Sequence, residues 1–589
     1  QDQIYGGEGQ FFRGALGGAF GPLSPLLVPI DNSGSKDLQF SDGITGSLGS
    51  AADLSATVFR APQASTAFLP GDPHDPNGPY LAYLDAQGDA SLALLSRDED
   101  GKVWGGRCAG SDLGGTEALN QGAISSDGSR IYFTTRPAQP GPSAEEEANG
   151  EFPACVNSNP QRILKRTEAP SGDATIEELV PGGPAADDDL YQGASDDGSR
   201  VYFLTARKLV PEDLDEGAEG CSAEIGASKG CDLYLFDSAR PPAERITMVS
   251  EGAAGDPTPG KGANVLGSIT SISTDGTHVY FTAQGVLSDD ANPIGVSAVA
   301  GQPNLYLYET ASGSTSFLGT LAPGDRTVLW GSNQTLRAAY PVPLLGPGGL
   351  GGDGHILFFL SRASLTAEDA DGGRTDAYRY DSDGETLRCV SCAPGGPDAQ
   401  PYDVEANMKP NALSPLFTEQ GRWASEDGET VAFSTAEPLV AGDEDGTANP
   451  YLWREGELFK LPGRVPGPSQ LPVVSAGGEE VGFSTSAALL PQDGDTARDA
   501  YLVRTGGGFV NPISPLSCDP LTEGSCQGPA SSRPASPPAS TDSFVGPGNS
   551  AQAPTCAKGR VRRKGKCVAA HKRKKAQHKR AGHKRKGIR

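Results

Sequence analysis

The stretch ASEDGETVAFSTAEPLVAGDEDGTANPYLWREGELFKL, residues 424–461, decides the fold. It begins with a Ser-x-Asp-Gly turn at residues 425–428, and an alternating run at residues 431–435 follows, with Val431, Phe433 and Thr435 on one face. An acidic turn and two short apolar runs complete the stretch. Alternation of period two, interrupted by Asp-Gly and Gly-rich turns, predicts antiparallel strands joined by hairpins.

The same pattern recurs along the chain, with an aliphatic residue four positions and a Phe six positions after the turn Asp. Its copies are Asp127/Ile131/Phe133, Asp197/Val201/Phe203, Asp275/Val279/Phe281, Asp353/Leu357/Phe359, Asp427/Val431/Phe433 and, with Gly in place of Asp, Gly477/Val481/Phe483. Most copies continue with a strand that opens on Asp or Asn and has Tyr two positions later, at residues 232–234, 304–306, 376–378, 449–451 and 499–501. A weaker unit starts at Ala56.

Units of this kind cannot bury both faces of their sheet alone, so they stack on one another. The repeats predict an all-β protein, a β-propeller of about seven four-stranded blades, with six to eight compatible with the pattern. We place the propeller at residues 56–512. A Gly-rich segment without a clear pattern (1–55) precedes it, and a Cys/Pro/Ser-rich linker (513–555) and a basic tail (556–589) follow.

The Ser-x-Asp-Gly-x-x-Val-x-Phe turn and the following Asp-x-Tyr-Leu-Tyr strand resemble the repeats of TolB-type, WD-repeat-like bacterial β-propellers over residues 120–505. A narrower similarity links the chain to secreted actinobacterial propeller proteins. It rests on Leu-Val-Pro-x-Asp-x-Asp at residues 209–215, Cys-Val-Ser-Cys at 389–392 and the Cys-bounded C-terminal segments. The resemblance implies a fold and an extracytoplasmic location, and it assigns no activity.

The ten cysteines fall mostly into close neighbours, which predicts local disulfides and an oxidising compartment. The expected pairs are Cys221–Cys231, Cys389–Cys392, Cys518–Cys526, Cys556–Cys567 and Cys108–Cys155. For the Cys389–Cys392 pair, a redox motif or half of a zinc site is the alternative to a structural disulfide. A first residue other than Met fits either removal of a leader or a fragment. We therefore expect a secreted or cell-surface protein.

The loop between the second and third strands repeats an acidic pair, which offers two interpretations. Oxygen ligands in this pattern could bind Ca²⁺, or the side chains could hydrogen-bond their own backbone and initiate the turn. The Ca²⁺ interpretation lacks a Glu at the twelfth loop position. The candidate ligands are Asp213, Asp215, Asp369, Asp371, Asp376, Asp443, Asp445, Asn449, Asp493, Asp495 and Asp499, and Asp290/Asn292 is a related pair. The expected cofactor is accordingly none, or Ca²⁺.

Catalysis has little support in the sequence. His74, His278 and His355 are the histidines outside the tail, and they occupy non-equivalent positions. The sequence favours a binding or scaffold module, expected to be a monomer, with a protein or glycan ligand on the propeller face. The rival hypotheses are a propeller hydrolase acting on a glycan or peptide polymer, and a Ca²⁺-stabilised adhesion protein.

Charge is divided unevenly along the chain. Residues 551–589 contain 16 Lys and Arg and no acid, whereas the preceding residues contain 32 Lys and Arg against 74 acids, a balance of −42. A dense basic run predicts binding to an anionic cell-wall polymer, lipid or DNA. The residues expected to make this contact are Arg560, Arg562, Arg563, Lys564, Lys572, Arg573, Lys574 and Lys575.

Overall fold

The structure is a computed structural model of the chain, and it separates into two units, Gln1–Asn511 and Pro512–Arg589. It describes residues 12–13, 21–22, 47–52, 55–60, 82–86, 91–104, 112–115, 121–135, 161–168, 174–182, 188–214, 221, 230–257, 262–266, 271–323, 325, 344–345, 352–370, 373–392, 402–404, 423–441, 443, 446–462, 472–490, 493, 497–507, 556–558, 560–564 and 566–569.

A short strand pair, β1 (Phe12–Arg13) and β2 (Gly21–Pro22), precedes a series of seven antiparallel sheets, which we call blades 1 to 7. Blade 1 contains β3 (Ser47–Ser50), β4 (Ala56–Arg60), β5 (Ala82–Ala86) and β6 (Ser91–Leu94), and blade 2 contains β7 (Asp112–Leu113), β8 (Arg130–Thr135), β9 (Arg162–Glu168) and β10 (Ala174–Glu178). Blade 3 contains β11 (Asp189–Ala194), β12 (Arg200–Thr205), β13 (Asp232–Asp237) and β14 (Ile246–Met248).

Blade 4 contains β15 (Ser271–Ile272), β16 (His278–Ala283), β17 (Asn304–Glu309) and β18 (Ser314–Thr320). Blade 5 contains β19 (Leu344–Leu345), β20 (Ile356–Ser361), β21 (Asp376–Asp381) and β22 (Thr386–Cys389). Blade 6 contains β23 (Thr430–Thr435), β24 (Asn449–Arg454) and β25 (Glu457–Lys460), and blade 7 contains β26 (Val473–Val474), β27 (Glu480–Thr485) and β28 (Asp499–Arg504). A short 3-10 helix covers Pro242–Glu244.

In every blade the strands pair in sequence order, so each blade is a meander, and the prediction of a β-propeller of about seven blades is confirmed. Blade 1 takes in a strand upstream of Ala56. The blades with four strands are 1 to 5. In blade 6 an isolated bridge between Ala424 and Val431 takes the place of the innermost strand.

The Ser-x-Asp-Gly turn that joins the first two strands is held by its own side chains. In blade 2, Ser125 Oγ donates to Asp127 Oδ1 at 2.6 Å, and the backbone N–H of Ser129 donates to the same oxygen at 3.0 Å. These hydrogen bonds, that from Ser125 first, lower the pKa of Asp127. Gly128 has φ +69°, a backbone conformation that is unfavourable for residues with a side chain. The Ser and Asp contacts recur at residues 195–199 and 273–277.

The same turn also joins neighbouring blades. Tyr132 of blade 2 donates its hydroxyl to the carbonyl oxygen of Gly198 in blade 3 at 2.6 Å. Equivalent bonds run from Tyr202 to Gly276 (2.9 Å) and from Tyr280 to Gly354 (2.8 Å). The tyrosines are fully buried, so each bond lies inside the packed joint. A backbone bond between turns accompanies them, as from Asp196 N–H to the Thr274 carbonyl at 2.7 Å.

The joints between blades 5 and 6 and between blades 6 and 7 have other residues at the position of this tyrosine. In blade 5 its position is Phe358, and Arg379 instead donates from Nε to the Gly428 carbonyl oxygen at 2.9 Å. Arg379 also pairs with Glu429 at 2.9 Å. In blade 6 the position is Ala432, which packs with Val481 and Phe483 of blade 7 in one apolar cluster. The blades therefore share one turn and differ in the side chain that reaches it.

Candidate functional site

The loops between second and third strands lie at the end of each blade opposite to the Ser-x-Asp-Gly turns, because consecutive antiparallel strands turn at alternating ends. The strand-three Tyr stands beneath this loop and stacks on the strand-two Phe of its own blade. Ring centroids are 5.6–6.1 Å apart in the pairs Phe203–Tyr234, Phe281–Tyr306, Phe359–Tyr378, Phe433–Tyr451 and Phe483–Tyr501. This aromatic pair supports the loop that contains the candidate ligands.

In four of the five predicted pairs the first acid accepts a hydrogen bond from that tyrosine, whereas in blade 4 Tyr306 donates to the Gly285 carbonyl oxygen at 2.8 Å. Tyr234 donates its hydroxyl to Asp213 Oδ2 at 2.6 Å. The same contact joins Tyr378 to Asp369, Tyr451 to Asp443 and Tyr501 to Asp493. Burial, and next the hydrogen bond to Asp213, raises the pKa of Tyr234 far above its usual range, so this hydroxyl stays protonated. The acids thus anchor their loops.

The second acids of the pairs, Asp215, Asp371, Asp445 and Asp495, lie outside the described residues. At the start of strand three, Asp376 and Asn449 are buried, whereas Asp499 is exposed. Between the loop acids and the strand-three residues, a hydrogen bond joins Asp443 to Asn449. Binding of Ca²⁺ by these residues stays a prediction.

In blade 6, three side chains contact the loop acid. Asn449 Nδ2 donates to Asp443 Oδ1 at 3.0 Å, and Lys460 Nζ contacts the same oxygen at 2.6 Å. With Tyr451 on Oδ2, the buried Asp443 carboxylate has both a cation and hydrogen-bond donors, as a buried charge requires. The sequence did not indicate Lys460, because only the strand register places it beside Tyr451.

The disulfides Cys221–Cys231, Cys389–Cys392 and Cys556–Cys567 are present, with Cα–Cα distances of 4.9, 5.5 and 5.7 Å. Cys108, Cys155, Cys518 and Cys526 lie outside the described residues. Among the described residues, one group brings three side chains of metal-ligating type together, namely Asp376, Cys389 and Cys392. Its two sulfur atoms are bonded to each other, so they offer no thiolate for a zinc site.

A histidine pair that sequence analysis passed over lies between blades 4 and 5. The rings of His278 and His355 have centroids 4.5 Å apart. Burial, and next the neighbouring His355, lowers the pKa of His278. His278 occupies the register position of Arg130 and Arg200, which donate to the carbonyl oxygens of the next turn at 2.6 and 2.7 Å. The pair therefore belongs to a joint between blades.

The second unit contains a disulfide-closed hairpin of β29 (Arg560–Arg563) and β30 (Lys566–Ala569). Cys567 of β30 is bonded to Cys556, which precedes the hairpin. Arg560, Lys564 and Lys566 are exposed. Arg562 and Arg563 lie in β29, and Lys572, Arg573, Lys574 and Lys575 lie outside the described residues. Part of the predicted anion-binding set thus stands on an ordered, cross-linked scaffold.

No protein-family model and no curated protein matches the chain. Among solved structures it is similar to TolB from Acinetobacter baumannii, with 12% identity, 70% of this chain and 72% of that chain covered, and a TM-score of 0.23. It is also similar to the β-propeller domain of the Trilobed protease from Pyrococcus furiosus, at 10% identity, 77% and 93% coverage and a TM-score of 0.26.

A third similar structure is the acylaminoacyl peptidase of Pyrococcus horikoshii, at 12% identity and a TM-score of 0.27, with 76% of this chain and 49% of that chain covered. The chain thus spans about half the length of that peptidase. Because these TM-scores are low, the propeller assignment rests on the strand order and register of this chain. The described part of the chain includes no helix that is long and apolar enough to cross a membrane.

Proposed function

We propose that this protein is an extracytoplasmic β-propeller that acts as a binding or scaffold module, related to secreted actinobacterial propeller proteins and tethered by its basic C-terminal unit to an anionic surface. The observation that supports the tether is the separation of charge between the two units. All 16 cationic side chains of residues 551–589 fall in the second unit, without an acid among them. The preceding residues have a balance of −42 and would be repelled by a polyanion.

The hairpin makes this unit a defined binding element. Its strand pairing and the Cys556–Cys567 disulfide fix the spacing of Arg560, Lys564 and Lys566. Fixed cations lose less side-chain freedom on binding than cations on an unconstrained chain, which favours association. The partner is an anionic cell-wall polymer, with an anionic lipid or DNA offering the same phosphate chemistry.

The binding role of the propeller itself is supported by the way its loop acids are used. Asp213, Asp369 and Asp443 are 4–6% exposed and accept hydrogen bonds from tyrosine hydroxyls. A polymer hydrolase needs a carboxyl group within reach of its substrate. These acids hold the loops on the strand-three tyrosines, and the loops in turn present the face on which a protein or glycan ligand would bind.

Co-sedimentation with purified cell walls tests the tether. The full chain should pellet with walls at low salt and be released as salt rises, because screening weakens exposed charge contacts. A variant ending at residue 555 should stay in the supernatant. A second variant with Arg560, Lys564 and Lys566 changed to Gln keeps the disulfide and the length of the tail, and it should bind more weakly than the wild type.

Walls stripped of their anionic polymer provide the control, and they should not retain the full chain. Equal retention of the full chain and the 555-residue variant, or retention that ignores salt, would show that the tail is not the tether. Turnover of a glycan or peptide library by the propeller would replace the binding role with the hydrolase alternative.

A further inference from the structure

The loops of blades 5 and 6 are built on the same contacts and can be compared atom by atom. In each, the strand-three Tyr donates to the loop acid, Asp369 in blade 5 and Asp443 in blade 6. In each, a loop Leu N–H donates to the same Tyr oxygen at 3.4 Å. Strand three begins with Asp376 in blade 5 and with Asn449 in blade 6, at equivalent register positions.

Blade 6 shows what surrounds the loop acid when the chain supplies every partner. Asn449, a neutral donor, bonds to the Asp443 carboxylate, and the Lys460 ammonium contacts its Oδ1. In blade 4, strand three begins with the neutral Asn304, and the Tyr306 hydroxyl donates to the Gly285 carbonyl oxygen at 2.8 Å. In these two blades the strand-three Tyr therefore bonds either to a compensated carboxylate or to a backbone carbonyl.

Blade 5 has neither a neutral residue at the start of strand three nor a Lys opposite its strand-three Tyr. Asp369 and Asp376 are both carboxylates, only 6% and 1% exposed. The register that puts Lys460 opposite Tyr451 puts Cys389 opposite Tyr378, and Cys389 is held in a disulfide. In the described part of the chain, Asp369 Oδ1 has no hydrogen-bond partner.

A second oxygen in the same loop shows the same feature. Thr366 is 5% exposed, and no described residue bonds to its Oγ1. Counted from the loop Leu, blade 6 has Val440 at this position and blade 4 has Ser288, whose Oγ accepts a hydrogen bond from the Asp290 N–H at 3.2 Å. Buried polar atoms are nearly always satisfied, and two unsatisfied oxygens in one acidic loop point to an absent positive partner.

We propose that the loop of blade 5 binds a Ca²⁺ ion through Asp369 and Asp376, at the place that the Lys460 ammonium takes in blade 6. Ca²⁺ prefers carboxylate and hydroxyl oxygens, and it completes a coordination of six to eight with backbone carbonyls and water. Thr366 Oγ1 is the candidate third side-chain ligand. The bonded sulfurs of Cys389 and Cys392 exclude a thiolate-bound metal at this position.

Thermal unfolding of the full chain in EDTA and in millimolar CaCl₂ tests the site. The wild type should gain roughly 2–5 °C in Tm with CaCl₂, because an ion that binds only the folded state stabilises it. Asp369→Asn should abolish this gain and should melt no lower than the wild type in EDTA, since it removes one of two buried carboxylates from this blade. Equilibrium dialysis with radioactive calcium should show one tightly bound ion fewer in Asp369→Asn than in the wild type.

Asp443→Asn is the matched control from blade 6. It should lower Tm equally in EDTA and CaCl₂, because it leaves Lys460 without its partner and leaves the blade 5 loop intact. A wild-type Tm that is the same in EDTA and CaCl₂, or an Asp369→Asn variant that keeps the gain, would overturn the proposal. The outcome is independent of binding by the basic unit.

Discussion

The joint between blades 3 and 4 and the joint between blades 6 and 7 use the same turn with different support. In the first, Tyr202 is fully buried and bonds to the Gly276 carbonyl. In the second, Ala432 stands in the place of that tyrosine, and the backbone bond from Glu426 N–H to the Ala476 carbonyl, 2.8 Å, is retained. In both joints the acceptor of the bond between blades is thus a backbone carbonyl oxygen. The donor differs, since it is a tyrosine hydroxyl together with a backbone N–H in the first joint and a backbone N–H in the second.

The two joints also differ in what lies beyond them. Leu235 of blade 3, which pairs with Tyr202, is 1% exposed and shares an apolar cluster with Val279 and Phe281 of blade 4. Leu502, at the same position of blade 7, is 49% exposed. Blade 3 is therefore buried on both faces and blade 7 on one. Local stability should be lowest at the C-terminal end of the propeller.

The largest effect should come from truncating this matched leucine pair. Leu235→Ala should lower the free energy of unfolding by about 2–5 kcal/mol, because it leaves a cavity in a packed joint. Leu502→Ala should change it by about 1 kcal/mol or less, because half of that side chain is already in water. Urea unfolding followed by far-UV circular dichroism measures both. Similar losses for the two variants would mean that blade 7 is covered in solution as blade 3 is.

An intermediate effect should follow from removing one hydroxyl. Tyr202→Phe keeps the ring in the joint and leaves the Gly276 carbonyl without its donor, which should cost about 1–3 kcal/mol. Amide hydrogen exchange should then accelerate in β12 and β16, on the two sides of that joint, and stay unchanged in β27. An unchanged exchange rate at β16 would show that the backbone bond alone holds the blades together.

The smallest effect should be a pH dependence of the free energy of unfolding that comes from the joint between blades 4 and 5. The pKa of His278 is lowered in the folded state from its usual 6.5, with burial and then His355 as the main causes, and Glu309, Asp275 and Asp353 act in the opposite direction. The unfolded state therefore binds more protons, and stability contributed by the neutral ring is lost as pH falls through and below about 6.5. Unfolding of His278→Gln should lack this component. A loss of the same size in wild type and variant would assign it to other groups.

The sequence predicts most of the fold because the pattern that repeats is itself the hairpin. Turn residues such as Asp127 and strand residues such as Phe133 have their partners within the same blade, so local alternation reveals them. Tyr132 is different, since its partner is a backbone carbonyl of Gly198 in the next blade. A carbonyl has no sequence signature, and the joints become visible only in three dimensions.

The sequence predicted only part of the candidate cation site, for a related reason. The acids of the loop were evident, and their spacing suggested a ligand set. What separates blade 5 from blade 6 is the residue across from the strand-three Tyr, Cys389 or Lys460, which depends on the pairing of strands three and four. The basic tail was predicted from charge alone, and the hairpin within it depends on the Cys556–Cys567 bond.

The bond from a side chain of one blade to a backbone carbonyl of the next has an evolutionary consequence. A new copy of a blade, inserted by gene duplication, brings its own Gly carbonyl and needs no matching substitution in the copy before it. Tandem duplication can therefore lengthen or shorten the array in one step, and each copy can afterwards diverge in its loops. The departures at Phe358 and Ala432 are the kind of divergence that such an arrangement tolerates.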